Sequence, residues 1–341
     1  MKKWLIIQFK QIGDVILTTQ LPREIRKLYP QAEVDFLTFS MNKDLLTYNP
    51  NIRNVLTVPS GSGFISTIRS ALAVRNGHYD VILDTQNTPR SMYSVLFSGA
   101  EYKVGFRKSK RRFAYNTFVS SKGAYAGLIK LNMLKSFDTA FSADKYDCSP
   151  EVFYTQADKV SMVQKAMACG LKLDKPYITM APTHKKVTRR WKLKHFADTA
   201  NWLAETKDLQ VVLTYGPGER DYITSGLEGM RLHRNIIVAP PLTLLELAAL
   251  MSGAEMHIGN DSAPHHMAVS QKTPTFVVIG STSSGWVHPH KRHTYINLGL
   301  DCQPCRSSIC RISDEIPCMN DLTFEMIKPE LDKFISENKI G

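Results

Sequence analysis

The sequence predicts an α/β protein built from two doubly wound, Rossmann-like domains. Short, near-continuous apolar runs alternate with helical patterns along most of the 341 residues. The alternation falls into two separate sets. In each set one apolar run leads through small and polar residues into a helix: IIQFKQIGDVILTT at 6–19 and MHIGNDSAPHHMAV at 256–269. Strands without a polar side belong to parallel sheets covered on both faces.

In the first set, strands are expected at 3–9, 33–39, 54–58, 80–84 and 101–105, with helices at 14–28, 64–76 and 89–97. In the second, strands at 177–181, 210–214, 235–239, 255–259 and 274–279 are interleaved with helices at 193–206, 219–228, 243–252 and 262–270. The boundary lies within 142–176. There SADKYDCSPEVFYTQ is polar and irregular, and a helix at 156–169, closed by Gly170, leads into the second domain. The domains are thus 1–155 and 156–320. A last helix at 322–338, in the tail 321–341, is expected to pack back towards the N-terminal domain.

Hydrophobic residues make up 43% and charged residues 22%, the balance of a soluble enzyme with a sizeable core. No apolar run approaches the ~18 to 20 residues of a membrane-spanning helix. The N-terminal MKKWLIIQFKQ is broken at Gln8 and Lys10, so it reads as a first strand and not a signal peptide. A cytoplasmic protein is expected. The net charge of +12, from 43 basic and 31 acidic residues, calls for an anionic partner: nucleic acid, anionic lipid or phosphorylated substrate. The basic residues are not interleaved with a recognition module and aromatic platform, which argues against nucleic acid.

The two junctions differ in charge. A glycine followed by a helix start usually holds phosphate. At the first junction Asp14 is expected as the first helical residue after a tight turn at Gly13, where it caps the helix but repels a pyrophosphate. At the second, the strand ends at Gly259, and Asn260, Asp261, Ser262, Ala263 and Pro264 open the helix. Small residues, a hydroxyl and free backbone N–H groups there make a phosphate site, or Asp261 or Ser262 simply caps the helix. HKKVTRRWK at 184–192 favours phosphate. It supplies Lys185, Lys186, Arg189, Arg190 and Lys192 from the loop after the same domain's first strand, so both stretches face the carboxyl ends of the strands. In GPGERDY, Glu219 is either a partner for ribose hydroxyls or an ordinary first-turn acid. Thr243 and Glu246 form a capping box, with Leu242 before it placed to line an adenine pocket.

Two further clusters stand out. Cys302, Cys305, Cys310 and Cys318 read C-x2-C-x4-C-x7-C, a spacing that can close a tetrahedral structural zinc or iron site or belong to a reduced loop. The basic run GFRKSKRRF at 105–113 is either a solvated loop or a contact for an anionic partner.

Taken in order, IIQFKQIGDVILTT, YDVILDTQNTPRS (79–91), KVGF (103–106), RRW (189–191), LTLLELAALMSGA (242–254) and GNDSAPHHMAV resemble the ADP-heptose:lipopolysaccharide heptosyltransferases of glycosyltransferase family 9. The resemblance covers nearly the whole chain. It departs at Gln8, Ala263 and His265, where that family usually has Arg, Gly and a nonpolar residue. It also has Thr183-His184-Lys185-Lys186 where members with characterised donor sites carry hydroxyls. The resemblance implies a GT-B fold, two Rossmann-like domains with a cleft between them. It implies an inverting, metal-independent transfer of heptose from ADP-heptose to the lipid A–Kdo inner core, by a protein peripheral to the inner face of the inner membrane. Asp14 would be the base that takes the acceptor hydroxyl's proton. Arg189, Lys192, Glu219, Leu242, Asp261, Ser262, Ala263 and His266 would bind the donor. The amides of 262 to 265 and the basic loop would stabilise the departing ADP in place of a metal ion. Gly13, Gln86, Arg90, Arg107, Lys110, Arg111 and Arg112 would bind the acceptor, each basic group near an anionic surface contributing roughly 1 kcal/mol. A relative using another nucleotide sugar or acceptor, and a sugar-nucleotide 2-epimerase of similar fold, are the alternatives.

Overall fold

Trp4, Leu5, Ile6 and Ile7 are fully buried, so strand β1 (Lys3–Ile7) has no wet face. It pairs in parallel with β2 (Glu33–Phe39) on one side and β4 (Val81–Asp84) on the other. The computed structural model describes residues 2–61, 63–142 and 145–341. Its chain divides into a first unit, Met1–Phe153, and a second, Tyr154–Gly341, so the units meet slightly before the expected boundary at 155.

In the first unit, β3 (Asn54–Val58), β5 (Tyr102–Phe106) and β6 (Thr117–Val119) complete a parallel sheet of order β3-β2-β1-β4-β5-β6. Its connections carry α1 (Ile12–Ile16), α2 (Gln20–Leu28), α3 (Asp44–Thr47), α4 (Phe64–Asn76) and α5 (Pro89–Leu96), and α6 (Ala126–Leu131) follows β6. The helix expected over 14–28 is therefore two. Thr18 Oγ1 donates to the Asp14 carbonyl at 2.7 Å and Thr19 Oγ1 to that of Ile16 at 2.6 Å. Pro22 has no N–H with which to extend a helix arriving from Asp14, so α2 restarts with Pro22 in its first turn.

The second unit opens with α7 (Gln156–Ala168), whose N-cap Thr155 accepts from the Asp158 N–H at 3.1 Å. Strands β7 (Tyr177–Ala181), β8 (Gln210–Leu213), β9 (Ile236–Val238), β10 (Met256–Asn260), β11 (Thr275–Val278) and β12 (His293–Ile296) form a second parallel sheet, ordered β12-β11-β10-β7-β8-β9. After β7, β8, β9 and β10 come α8 (Leu193–Thr206), α9 (Arg220–Leu227), α10 (Leu244–Ser252) and α11 (Ala263–Ser270). The chain ends in α12 (Pro317–Asn320) and α13 (Phe324–Asn338).

Within the tail 321–341, α13 is tied to the unit it follows. Phe324, Ile327, Leu331, Phe334 and Ile335 of α13 are buried in the second unit's own core with Phe196 and Leu203 of α8. Five apolar side chains at helical spacing commit a helix to one core, and this one is laid on the unit it follows. Among the described residues no helix is long and apolar enough to cross a membrane.

Candidate active site

Each sheet has one point where the strand order reverses: between β1 and β4 in the first, between β7 and β10 in the second. Open α/β sheets bind ligands outside the carboxyl ends of the strands at such a point. Of the residues singled out by sequence, Asp14 and Gln86 lie at the first of these places, and Arg189, Asp261 and Ser262 at the second.

In the first unit, β1 runs through residues 8–11 into α1. Ile12 and Gly13 already lie in the helix, and Gly13 is not among the glycines with left-handed backbone. The expected glycine turn with Asp14 in first position is thus corrected: Asp14 is the third helical residue. From there it reaches back to the Gln11 N–H at 3.5 Å, as a third-position acid in a capping box does. Its other oxygen lies 3.4 Å from Lys130 Nζ. Lys130, from α6, is buried, and also donates to Gln8 Oε1 at 2.8 Å and the Thr85 carbonyl at 3.4 Å. Burial lowers its pKa, opposed by Asp14. Asp14 itself keeps 27% of its side chain exposed, enough to meet a ligand.

Gln86 joins the two strand ends. Its Oε1 accepts from Gln8 Nε2 at 2.6 Å and from the N–H groups of Phe9 and Lys10 at 3.1 and 3.0 Å. Beneath it the fully buried Asp84 accepts from the Gln86 and Asn87 amides, each at 2.9 Å, and from the Tyr115 hydroxyl at 2.6 Å. Burial raises the Asp84 pKa against these bonds. Arg90 donates to the carbonyls of Pro59, at 3.0 Å, and Gly61, and to Ser66 Oγ at 3.0 Å, so its guanidinium holds the loop before α4. Arg107, Lys110 and Arg112 are exposed and Arg111 half-buried. None of the four forms an ion pair with the described residues.

In the second unit, Asn260 ties the two central strand ends together. Its Oδ1 accepts from the Trp191 N–H at 2.9 Å, and its Nδ2 donates to the Thr183 carbonyl at 3.3 Å. This brings the loop 182–192 against the start of α11. Ser262 is the N-cap residue and Ala263 the first residue of α11. Pro264 carries no N–H, and the His265 N–H is taken by the Ser262 carbonyl at 3.2 Å. The expected anion-binding amides of 262 to 265 therefore reduce to those of Ser262 and Ala263. Asp261 is buried, and burial raises its pKa against the pull of Arg189. Arg189 Nε is buried and has no hydrogen-bond partner among the described residues. Lys192 is exposed at the start of α8. Glu219 is the residue before α9, and its Oε2 accepts from Thr183 Oγ1 at 2.6 Å and the Gly216 N–H at 2.9 Å. Thr243 and Glu246 form the expected capping box of α10, and Leu242 packs half-buried beside it. His266 is buried, its ring 5.0 Å from that of His265.

The model of glycosyltransferase family 9 (heptosyltransferase) matches residues 68–315, most of the chain. The chain belongs to glycosyltransferase family 9. The lipooligosaccharide heptosyltransferase 2 of Haemophilus ducreyi is 23% identical over 314 residues, 88% of this glycosyltransferase and 89% of that protein. Two solved structures share the fold. A family 9 glycosyl transferase from Veillonella parvula has a TM-score of 0.84 at 19% identity, covering 98% of each chain. E. coli ADP-heptose lps heptosyltransferase II has a TM-score of 0.78 at 18% identity, covering 99% of this chain and 100% of that one.

The structural metal expected at Cys302, Cys305, Cys310 and Cys318 of this glycosyltransferase is not confirmed. Among the described residues no three His, Cys, Asp or Glu side chains stand where they could hold one metal ion. Cys318 is packed into the apolar core, and burial, then the neighbouring thiols of Cys310, Cys302 and Cys305, push it up to about 11. Cys305 is exposed. One thiol is committed to the core while another faces water. Sequence reasoning missed Lys130 altogether and, for Asn260, missed its role as the tie between two loops. Lys130 had a readable signal, a lone cation in the apolar run AGLIKLNML.

Proposed function

We propose that this glycosyltransferase moves heptose from ADP-L-glycero-D-manno-heptose to the anionic, lipid-linked inner core of lipopolysaccharide, with inversion and without a divalent metal. The names of its relatives and its family support the substrate class. The second unit's switch point supports the donor site. In the reaction, Asp14 takes the proton of the acceptor hydroxyl while that oxygen bonds to the anomeric carbon. The bond from this carbon to the ADP oxygen breaks, and ADP leaves with the electron pair. Lys130, 3.4 Å away, positions the carboxylate.

The single observation that carries the reading is the Arg189 Nε–H at the mouth of β7 and β10, buried and without a partner among the described residues. Buried donors are seldom left unpaired, and a guanidinium matches a diphosphate. The amides of Ser262 and Ala263 and the exposed Lys185, Lys186 and Lys192 add to the same charge. Burial raises the pKa of Asp261, which weakens its opposition to that charge. The remaining Glu219 oxygen is assigned to the ribose hydroxyls, and Leu242 and His266 to the nucleoside and sugar. The protein would act at the inner face of the inner membrane, where such an acceptor is exposed to the cytoplasm.

Calorimetry with ADP in EDTA tests this. Binding is expected, weakened about tenfold or more in Arg189→Ala, as for loss of a charge-assisted contact. Binding that requires a divalent cation, or an unchanged variant, overturns it.

A further inference from the structure

A surface helix normally turns its apolar side chains to the core and its polar ones to water. The outer side of α4 does the reverse. Phe64, Ile65, Ile68 and Leu72 are all exposed, Phe64 to 76%. At 100° per residue they share one stripe about 100° wide. Ser70, Ala71 and Val74 form its buried side. The neighbouring α5 continues the stripe with exposed Tyr93 and with Phe97 just beyond its end, rings stacked at 6.4 Å. The turn Arg112–Ala114 packs against α5 and presents Phe113, 71% exposed. Exposed apolar residues scattered singly need no explanation, but a contiguous set on three adjoining elements marks an interaction surface.

The charge around it has one sign. Residues 64–76 of α4 and 105–113, the run beside Phe113, carry seven Lys and Arg and no Asp or Glu. Arg69 and Arg75 are exposed on α4, and the 107–112 run borders Phe113. A second copy of the chain would bring the same cations against these, so self-association is opposed. Nucleic acid matches the charge but not the aliphatic Ile65, Ile68 and Leu72.

We propose that the α4–α5 face docks on a bilayer surface carrying anionic headgroups. Its apolar side chains enter the boundary between headgroups and acyl chains, and its basic rim meets the headgroups. The proposal rests on the transfer reading only for which bilayer is met.

Sedimentation of the full chain with glycolipid-free vesicles of phosphatidylethanolamine and phosphatidylglycerol tests it. The protein is expected to co-sediment. The bound fraction should fall about tenfold or more in Ile65→Glu/Leu72→Glu, and fall in Arg69→Glu/Arg75→Glu and with added salt. Ile65→Leu should bind like the parent. All of these side chains are exposed, so unfolding midpoints and ADP binding should not move. Several results would overturn the proposal. They are a parent protein left in the supernatant, equal binding to neutral phosphatidylcholine vesicles, variants that bind unchanged, or a dimer in solution that Ile65→Glu/Leu72→Glu dissolves. Vesicle binding that persists where ADP fails to bind supports the docking face and counts against the transfer reading alone.

Discussion

Asp14 has a capping contact and a proposed role as base, which a single substitution can separate. It reaches back to the Gln11 N–H, so part of its value is structural, and it stands a quarter exposed at a switch point, where a base would be needed. Asparagine keeps the size and caps helices about as well. Asp14→Asn should therefore fold and bind ADP normally while turnover falls by ~10² to 10⁴, the contribution of a positioned general base. Turnover above about a tenth of normal would leave Asp14 a cap only. The cation beside it has an unusual origin. Where the heptosyltransferase pattern has Arg, this chain has Gln8, and Lys130 reaches in from α6 to touch both Gln8 and Asp14. Burial lowers the Lys130 pKa, so between that lowered value and 10.5 the unfolded chain holds more protons than the folded one. Stability from this group rises as pH climbs through that window. Lys130→Met removes the rise, so the parent's unfolding midpoint should gain on the variant's from neutral pH towards 10.5. Parallel curves would mean that Lys130 titrates as it does in the unfolded chain.

The elements most legible in the sequence are those buried on both faces. KWLII, VILD, YITMA and MHIGN are mostly apolar, and they are the four central strands. β6 and β12 escaped because they are short and lie at sheet edges, where half-exposed positions blur the apolar run. The break between α1 and α2 escaped because it depends on threonine hydroxyls turning back on the helix, a preference weaker than periodicity. Around the site, Asp14, Arg189 and Asp261 were readable as strand-end charges. Asn260 was readable as a residue but not as the tie between two loops, since its partners lie 69 and 77 positions away. The same packing of β10 against its neighbours has a consequence in acid. Burial pushes His257 on β10 and His293 on β12 down to about 3. Their contribution is complete above the unfolded value near 6.5 and is lost as pH falls towards 3. At pH 5, His257 alone should account for about 2 kcal/mol of lost stability. His257→Gln should unfold less steeply between pH 7 and 5 by about that amount, measured by denaturant titration at each pH. An unchanged slope would show that the imidazole is hydrated.

Over the whole molecule the charge is divided unequally. Residues 1–153 carry twenty-one Lys and Arg against twelve Asp and Glu, and residues 154–341 carry twenty-two against nineteen. An even spread would serve solubility; this one assigns long-range attraction to the unit proposed to hold the acceptor. The second unit, as the proposed donor site, would need only local cations at its switch point, because a diphosphate is small and would be held by direct contacts. The two substrates should therefore respond differently to the same loss of charge. Arg111→Ala/Arg112→Ala, assayed on a soluble acceptor fragment so that docking on a bilayer plays no part, should raise the acceptor's KM on the order of tenfold at low salt. The donor's KM should hardly move. The difference should shrink as salt approaches physiological strength, where the screening length is about 8 Å and exposed charges beyond it are largely silent. A rise that survives high salt would point instead to direct, desolvated contacts from these arginines. Equal effects on both substrates would return the run 107–112 to an ordinary solvated loop.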